Sequence, residues 1–277
     1  MRRKVGLHVR IHDTLLDVSH RAVELGVDFF QCFLINERTR RYVSPTNEEQ
    51  QAFLKVRRKH YGHLFIHGSY WINFAYPQRL VHHAFFKELD YAKRFEFTHI
   101  VLHPGHAKGA ANKVEGIEHL ARILDSIVRH EQTITLVLEN TSHDGLSIGS
   151  DLNDFKLLRE KMDYADRIMF CIDTAHMHAF GYQITTGDQI KDALDLIDDT
   201  VGITNVALIH LNDTLQECGS RIDEHGIIGK GVIGEHNLRL FAMHERLRTI
   251  PLLMEMPHLL VEEEKKILEK VRGWTDD

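Results

Sequence analysis

Cysteine is scarce in this chain, and its scarcity excludes two kinds of stabilisation. Only three cysteines occur among 277 residues, an odd number. Cys32, Cys171 and Cys218 show no C-x-x-C spacing, so we expect neither a disulfide framework nor a thiolate zinc site. Their pattern fits reduced thiols in a cytosolic protein.

Long apolar runs and glycine-rich phosphate loops are also missing. No run approaches the ~18 apolar residues of a membrane span, so none is expected. The start, MRRKVGLHV, is basic but passes directly into a strand-like run, which predicts no signal peptide. There is no Rossmann or Walker motif, and no linker divides the chain. We therefore expect one domain over residues 1–277, since α/β barrels of roughly 250 residues fold as one unit.

The net charge of −6 is unevenly distributed. Residues 1–60 carry 12 Lys and Arg against 7 Asp and Glu, whereas the remainder carries 22 against 33. A basic N-terminal region allows a local phosphate-binding face, although a chance distribution of solvated charge explains the composition equally well. Bound divalent metals would offset the acidic groups that ligate them.

Short apolar runs alternate with amphipathic stretches along the whole chain. Eight runs predict strands: VGLHV (5–9), DFFQCFL (28–34), LFIH (64–67), THIVLH (98–103), ITLVLE (134–139), IMFCID (168–173), VALIHL (206–211) and PLLME (251–255). Helical patterns such as GIEHLARILDSIVRH lie between them. This α/β alternation predicts a parallel sheet covered by helices, and eight units favour a (β/α)8 TIM barrel. An open doubly wound sheet has no reason to reach eight units.

Six consecutive predicted strands finish on a side chain that can bind a metal. In chain order they are His67, His103, Glu139, Asp173, His210 and Glu255. Their spacings of 36, 36, 34, 37 and 45 residues are close to the length of one βα unit. Because the C-terminal strand ends of a barrel converge on one face, we expect the six to meet there. A single such residue would more often be structural, but six in register indicate a site.

Three further candidates follow the strands. His176 comes three residues after Asp173, and Asp223 and His225 can face the same way in an extended segment. Imidazole and carboxylate ligands suit Zn²⁺, Mn²⁺ or Fe, and a His-rich set favours Zn²⁺ over Mg²⁺. Nine ligands suit two or three metals with bridging carboxylates. Several adjacent metals indicate phosphoryl chemistry, whereas a sugar isomerase would need fewer ligands and a small enclosed pocket.

Seven segments occur in the order and spacing of one known family: HGSYWIN, VLHPG, LENT, CIDTAH, HLND, RIDEHGIIGKGVIG and LLMEMP. Over residues 5–257 the chain thereby resembles the endonuclease IV family of apurinic/apyrimidinic (AP) endonucleases. The resemblance implies a TIM barrel with three zinc ions, Mn²⁺ being an alternative at one site. It implies hydrolysis of the phosphodiester 5′ to an abasic site in double-stranded DNA, leaving a 3′-hydroxyl, with trimming of blocked 3′ ends as a related activity. A monomer is expected, because the cleft needs no second chain.

The same resemblance assigns a role to every candidate ligand. The first zinc is matched by His67, His103 and Glu139, the second by Glu139, Asp173, His210 and Glu255, and the third by His176, Asp223 and His225. Either Glu139 or Glu255 would orient the hydroxide that attacks the phosphate. His178 is not expected to be a ligand, and His8 ends the first strand on the active face.

The DNA contacts implied by the resemblance are less closely defined. Tyr70 and Trp71 resemble a pair that inserts into the duplex, although packing at the barrel rim would also explain them. Arg38 is the nearest match to an arginine that fills the base stack, a part that Arg40 or Arg41 could also play.

Three loop features leave local contacts open. Lys230 is expected either to touch phosphate or to be a solvated loop charge. The segment HVRIHDTLLDV replaces a small, glycine-rich turn of the family, so the contacts of residues 10–18 are undetermined. The segment HGS, where a His-Asp pair is common, removes a carboxylate from the surroundings of a ligand.

Two alternatives to a nuclease agree less well with these residues. A sugar isomerase or epimerase on the same barrel would lack the D-x-H loop and the third-metal histidine, and both are present. A non-catalytic DNA-lesion-binding protein would be expected to have lost a bridging carboxylate, but Glu139 and Glu255 are intact.

Overall fold

The computed structural model describes residues 2–36, 41–76 and 80–274, and Arg38 and Arg40 lie outside these ranges. Its strands are β1 (Val5–His8), β2 (Phe30–Cys32), β3 (Ile35–Asn36), β4 (Arg41–Tyr42), β5 (Phe65–His67), β6 (His99–Leu102), β7 (Thr135–Glu139), β8 (Ile168–Asp173), β9 (Val206–His210), β10 (Asp213–Thr214), β11 (His225–Gly226) and β12 (Leu252–Met254). Its α-helices are α1 (Leu15–Leu25), α2 (Asn47–His60), α3 (Leu80–Arg94), α4 (Lys113–His130), α5 (Asn153–Lys161), α6 (Thr174–Phe180), α7 (Gly187–Thr200), α8 (Gly234–Met243) and α9 (Val261–Trp274).

Eight of the strands form a closed parallel barrel in the order β1-β12-β9-β8-β7-β6-β5-β2. Each lies within one of the eight predicted runs, so the predicted TIM barrel is confirmed. Several strands are shorter than predicted, and His103 and Glu255 stand one residue past β6 and β12. The register pairs Asp173 of β8 with His210 of β9, which places two candidate ligands side by side.

Helices α1, α4 and α7 each bury one apolar stripe. In α4 the stripe follows the helical period that the sequence predicts, with buried side chains at Ile117, Leu120, Leu124 and Ile127. This packing leaves the strand ends to carry polar side chains. None of the helices in the described ranges is both long and apolar enough to cross a membrane.

Two short antiparallel ribbons accompany the barrel, and apolar alternation did not predict them. β3 pairs with β4, and β10 pairs with β11. Each of these strands has two residues, which is too short for a periodic pattern to be visible. The second ribbon bears on the site, because β11 begins at the candidate ligand His225.

The loop between β11 and α8 is folded around one buried carboxylate, that of Asp213. Its Oδ2 accepts the backbone N–H groups of Gly229 and Gly231, both at 3.0 Å. Its Oδ1 accepts two more N–H groups at the start of α8, at 3.2 and 3.3 Å. Asp213 is fully buried, so water cannot readily replace it as an acceptor. The carboxylate therefore fixes the turn that carries Lys230.

We expect Asp213→Ala to lower the free energy of unfolding by about 3 kcal/mol, because four backbone N–H groups, all at least partly buried, would lose their acceptor. Urea titration followed by circular dichroism measures this loss. Asp213→Asn keeps one acceptor oxygen and should lose about half as much. An unchanged unfolding midpoint for Asp213→Ala would show that the loop does not depend on this carboxylate.

Candidate metal centre

The nine candidate ligands form one continuous cluster at the C-terminal ends of the barrel strands. Seven of them line a cavity of about 550 Å³: His67, His103, Glu139, His176, Asp223, His225 and Glu255. Asp173 and His210 are fully buried and contact members of this set. The barrel thus brings together all the positions that the strand-end pattern singled out.

The first group within the cluster joins His67, His103 and Glu139. Nε2 of His67 lies 3.0 Å from Glu139 Oε2, and Nε2 of His103 lies 3.3 Å from the same oxygen. The three side chains offer ligand atoms that all lie within 4.8 Å of one another. One cation could therefore contact all three.

The second group uses the other oxygen of Glu139. Nδ1 of His210 lies 2.7 Å from Glu139 Oε1 and 3.2 Å from Glu255 Oε2. It also lies 3.8 Å from Asp173 Oδ2. The two oxygens of Glu139 face different groups, which is the arrangement that a bridging carboxylate requires.

The third group lies beside Asp173. Oδ1 of Asp223 lies 3.1 Å from His176 Nε2 and 3.5 Å from His225 Nε2. Nε2 of His225 is also 3.6 Å from Asp173 Oδ2. Oδ1 of Asp173 caps α6 by accepting the N–H of His176 at 2.8 Å, so Oδ2 is the oxygen that faces the cluster. Asp173 consequently adjoins both the second and the third group.

Neighbouring acceptors indicate which ring nitrogen of each histidine faces the cluster. Nδ1–H of His67 donates to the carbonyl of Gly68 at 2.8 Å, and Nδ1–H of His176 donates to that of Asn140 at 2.8 Å. In both rings the lone pair is then on Nε2. His210 is turned the other way, because its Nε2–H donates to Gln31 Oε1 at 3.1 Å and its Nδ1 faces the carboxylates.

Two amide side chains hold the carboxylates, and neither was predicted from the sequence. Gln31 Nε2 donates to Glu255 Oε1 at 2.7 Å, and Asn212 Nδ2 donates to Asp173 Oδ2 at 2.6 Å. Asn212 also reaches Glu255 Oε2 at 3.2 Å. His8 Nδ1 lies 3.1 Å from Glu255 Oε1. A polar residue inside the apolar run DFFQCFL was the available signal for Gln31.

The charges of the cluster shift one another's titration. Burial alone would raise the pKa of Glu139, but the facing histidines, His210 foremost, hold that pKa well below its ordinary value. The pKa of Glu255 is lowered against burial in the same way. Burial would lower the pKa of His176, but Asp173 and its neighbours raise it well above the ordinary value. The carboxylates therefore stay ionised and require compensating positive charge, from protons or from metal cations.

The donor set fits divalent metals such as Zn²⁺. Nε2 of His225 is buried and makes no hydrogen bond, and Nε2 of His176 is buried and faces the Asp223 carboxylate, which suits lone pairs directed at a shared cation. Cys171 adjoins the second group, but burial raises the pKa of its thiol to about 12, so the offered donors are nitrogen and oxygen. His178 belongs to none of the metal-ligand groups in the described part of the chain.

The candidate DNA contacts differ in their placement. Tyr70 lines the cavity and is 63% exposed, while Trp71 beside it is 46% exposed. Such exposure does not fit a packing role for two large aromatic rings. Lys230 is exposed but does not line the cavity, and Arg41 is exposed in β4. Arg38 lies outside the described residues.

The turn before Tyr70 and Trp71 is anchored by Glu88 of α3. The backbone N–H of Ser69 donates to Glu88 Oε2 at 3.1 Å, and the Ser69 hydroxyl donates to the other oxygen. The hydroxyl of Tyr42 donates to Glu88 as well, at 3.1 Å. Burial raises the pKa of Glu88. A carboxylate therefore does lie next to the HGS segment. It belongs to Glu88 of α3 and not to the residue that directly follows His67.

A closed parallel barrel with adjoining His and carboxylate groups at its C-terminal mouth defines a TIM-barrel protein equipped to bind metals. The profile of the xylose isomerase-like TIM barrel family matches residues 20–277. The probable endonuclease 4 of Haloarcula marismortui is 30% identical over 259 residues, which cover 92% of each chain. The chain belongs to the endonuclease IV family.

A solved structure agrees with this assignment. Endonuclease IV from Thermus thermophilus matches with a TM-score of 0.83 and 26% identity over 99% of both chains. A D-tagatose 3-epimerase-like protein matches with a TM-score of 0.73 and 18% identity, over 99% of this chain and 97% of that one. At that identity the second similarity shows the shared fold alone.

Proposed function

We propose that the protein is a zinc-dependent AP endonuclease. It would hydrolyse the phosphodiester 5′ to an abasic site in double-stranded DNA, leave a 3′-hydroxyl, and trim blocked 3′ ends at the same centre. The observation that carries the proposal is a cluster of eight His and carboxylate side chains, which Asp223 joins through its contacts with His176 and His225, in a chain of the endonuclease IV family. One chain contains the whole cluster, so a monomer is sufficient.

The three groups would hold three zinc ions, with Mn²⁺ as the alternative in one of them. The proposed ligands are His67, His103 and Glu139 in the first group, Glu139, Asp173, His210 and Glu255 in the second, and His176, Asp223 and His225 in the third. When bound, such ions lower the pKa of water and neutralise charge on phosphate oxygens.

Glu255 and Glu139 are the groups proposed to orient the attacking water. Glu255 is held from both sides, since Oε1 accepts from Gln31 and Oε2 accepts from Asn212. Glu139 is fixed by three histidines. Polar groups that are already in place stabilise a transition state without having to reorganise during the reaction.

The aromatic pair at the rim is proposed to meet the bases beside the lesion. Stacking of a base on an aromatic side chain contributes about 1–3 kcal/mol. The exposed rings of Tyr70 and Trp71 are available for such contacts. Arg38 is proposed to fill the base stack and Lys230 to contact phosphate.

Incision of a duplex with one tetrahydrofuran abasic analogue tests the proposal. We expect a nick 5′ to the analogue and a 3′-hydroxyl that a polymerase extends, because the attacking water displaces the 3′ oxygen. The same duplex without the analogue should stay intact. No incision, together with one zinc equivalent or fewer in the pure protein, would refute the proposal.

Assays of sugar conversion and of duplex binding, run beside the incision assay, separate the two alternatives. Conversion of a sugar by a protein that does not incise DNA would favour an isomerase or epimerase, for which the group of His176, Asp223 and His225 has no evident use. Tight binding of the abasic duplex without incision would favour a non-catalytic lesion-binding protein.

A further inference from the structure

The cavity of the metal centre is rich in negative charge and poor in fixed positive charge. Four carboxylates line it: Glu139, Asp223, Glu224 and Glu255. Among the described residues that line it, Arg10 alone is an arginine or lysine. The negative charge of a phosphodiester that enters this cavity must be compensated by cations. Besides bound metals, the Arg10 guanidinium is the permanent cation that the described part of the chain supplies there.

The backbone around Arg10 is well anchored. Val9 and Ile11 on either side of it are 2% and 1% exposed, and both belong to the hydrophobic core. α1 begins shortly afterwards at a capping box formed by Thr14 and Asp17. The loop that replaces a glycine-rich turn is therefore tied down on both sides of Arg10, and ordering it on binding would cost little entropy.

The guanidinium lies at the edge of the cavity next to the segment that follows β12. Its Nη2–H donates to the carbonyl of Met256 at 3.4 Å, which is a long contact. Met256 and Pro257 line the cavity together with Arg10. A guanidinium presents five N–H donors in a planar fork that matches two phosphate oxygens. Position and chemistry both suit a contact with the DNA backbone.

We propose that Arg10 contacts a backbone phosphate of the DNA strand that enters the cavity. The proposal rests on the proposed nuclease function and deepens it by assigning a substrate-binding residue to the loop whose contacts the sequence left open. A phosphate contact carries no base information, so it would raise affinity for damaged and undamaged duplex alike.

Arg10→Gln and Arg10→Lys test the contact in the zinc-loaded protein. Fluorescence anisotropy with an undamaged labelled duplex over a salt series gives the affinity and its salt dependence. We expect Arg10→Gln to weaken binding about tenfold and to reduce the slope of log K against log salt by about one. On the abasic duplex KM should rise by a similar factor with kcat little changed. Arg10→Lys keeps the charge and should keep the slope.

Arg122→Gln is the matched control, because Arg122 is exposed on the outer helix α4 and should leave both quantities unchanged. Weaker binding with an unchanged slope would mean that Arg10 acts only by packing against the Met256 segment, and it would overturn the inference. Unchanged affinity and slope would overturn it too. Should Arg10→Gln fail to fold, Arg10→Met, which keeps an apolar stem, takes its place.

The binding measurement also distinguishes a failure of this inference from a failure of the proposed function. If the wild-type protein nicks the abasic duplex while Arg10→Gln binds like the wild type, the inference alone fails. If the wild-type protein does not nick DNA but Arg10→Gln lowers the salt slope, the phosphate contact stands and the nuclease proposal fails.

Discussion

Glu139→Gln should reduce incision of the abasic duplex on the order of a thousandfold or more while the barrel remains folded. Both oxygens of Glu139 are engaged, Oε2 by His67 and His103 and Oε1 by His210. Glutamine replaces one oxygen by an NH₂ donor that cannot bind a cation, so one of the two groups that share the residue loses a ligand. Incision kinetics, zinc content and circular dichroism measure the three consequences.

Glu224→Gln is the matched control for this variant. Glu224 lines the same cavity, but its side chain is exposed and its carboxylate accepts a hydrogen bond from the Gln216 amide. We expect it to incise at close to the wild-type rate and to keep its zinc. Incision by Glu139→Gln at the wild-type rate would contradict the proposal that Glu139 bridges the first and second metal-ligand groups.

Removal of the metal should eliminate incision and lower the melting temperature by about 10 °C. Glu139 and Asp173 are fully buried. Without metal cations, the neighbouring histidines would have to compensate their negative charges. Chelator dialysis followed by calorimetry and the incision assay measures both effects. Zn²⁺ should restore activity, whereas Mg²⁺, which prefers oxygen ligands, should not. Full incision by protein shown to be free of metal would contradict the proposed zinc dependence.

Zinc retention should fall as the pH falls. The pKa of His176 is raised well above its ordinary value, because Asp173 and Asp223 outweigh the opposing effect of burial, and the pKa of His210 is raised in the same direction. Protons therefore compete with zinc for these rings. A zinc-sensitive dye that reports release between pH 8 and pH 5 would measure the competition. Retention independent of pH would contradict the assignment of these imidazoles as ligands.

The barrel and the cluster were accessible from the sequence because each repeating unit carries its own signal. A strand such as IMFCID is apolar up to its last residue, and the polar residue at that point, Asp173, stands where a barrel places its site. His67 and His210 obey the same rule in their own units. A spacing of one βα unit is thus enough to predict that residues distant in sequence lie close together.

The residues that hold the candidate ligands and the turn beside them could not be predicted in this way, because each connects different βα units of the barrel. Gln31 lies in β2 and connects Glu255, which follows β12, with His210 at the end of β9. Glu88 reaches the HGS segment from a helix. Neither residue stands at a strand end, and no spacing relates it to the side chain that it holds. Only the three-dimensional packing of the barrel defines these contacts.

If the turn of Tyr70 and Trp71 meets DNA as proposed, its anchoring by Glu88 makes the DNA the partner that has to deform. Ser69 and Tyr42 both donate to Glu88, so the turn before Tyr70 is braced against β4 and α3 and yields little. Bending a duplex site by 40–90° costs about 1–6 kcal/mol, and that cost would fall on the DNA. A duplex whose stacking is already interrupted by a missing base is easier to open. A stiff projection of this kind would select damaged DNA by its pliability and not by its sequence.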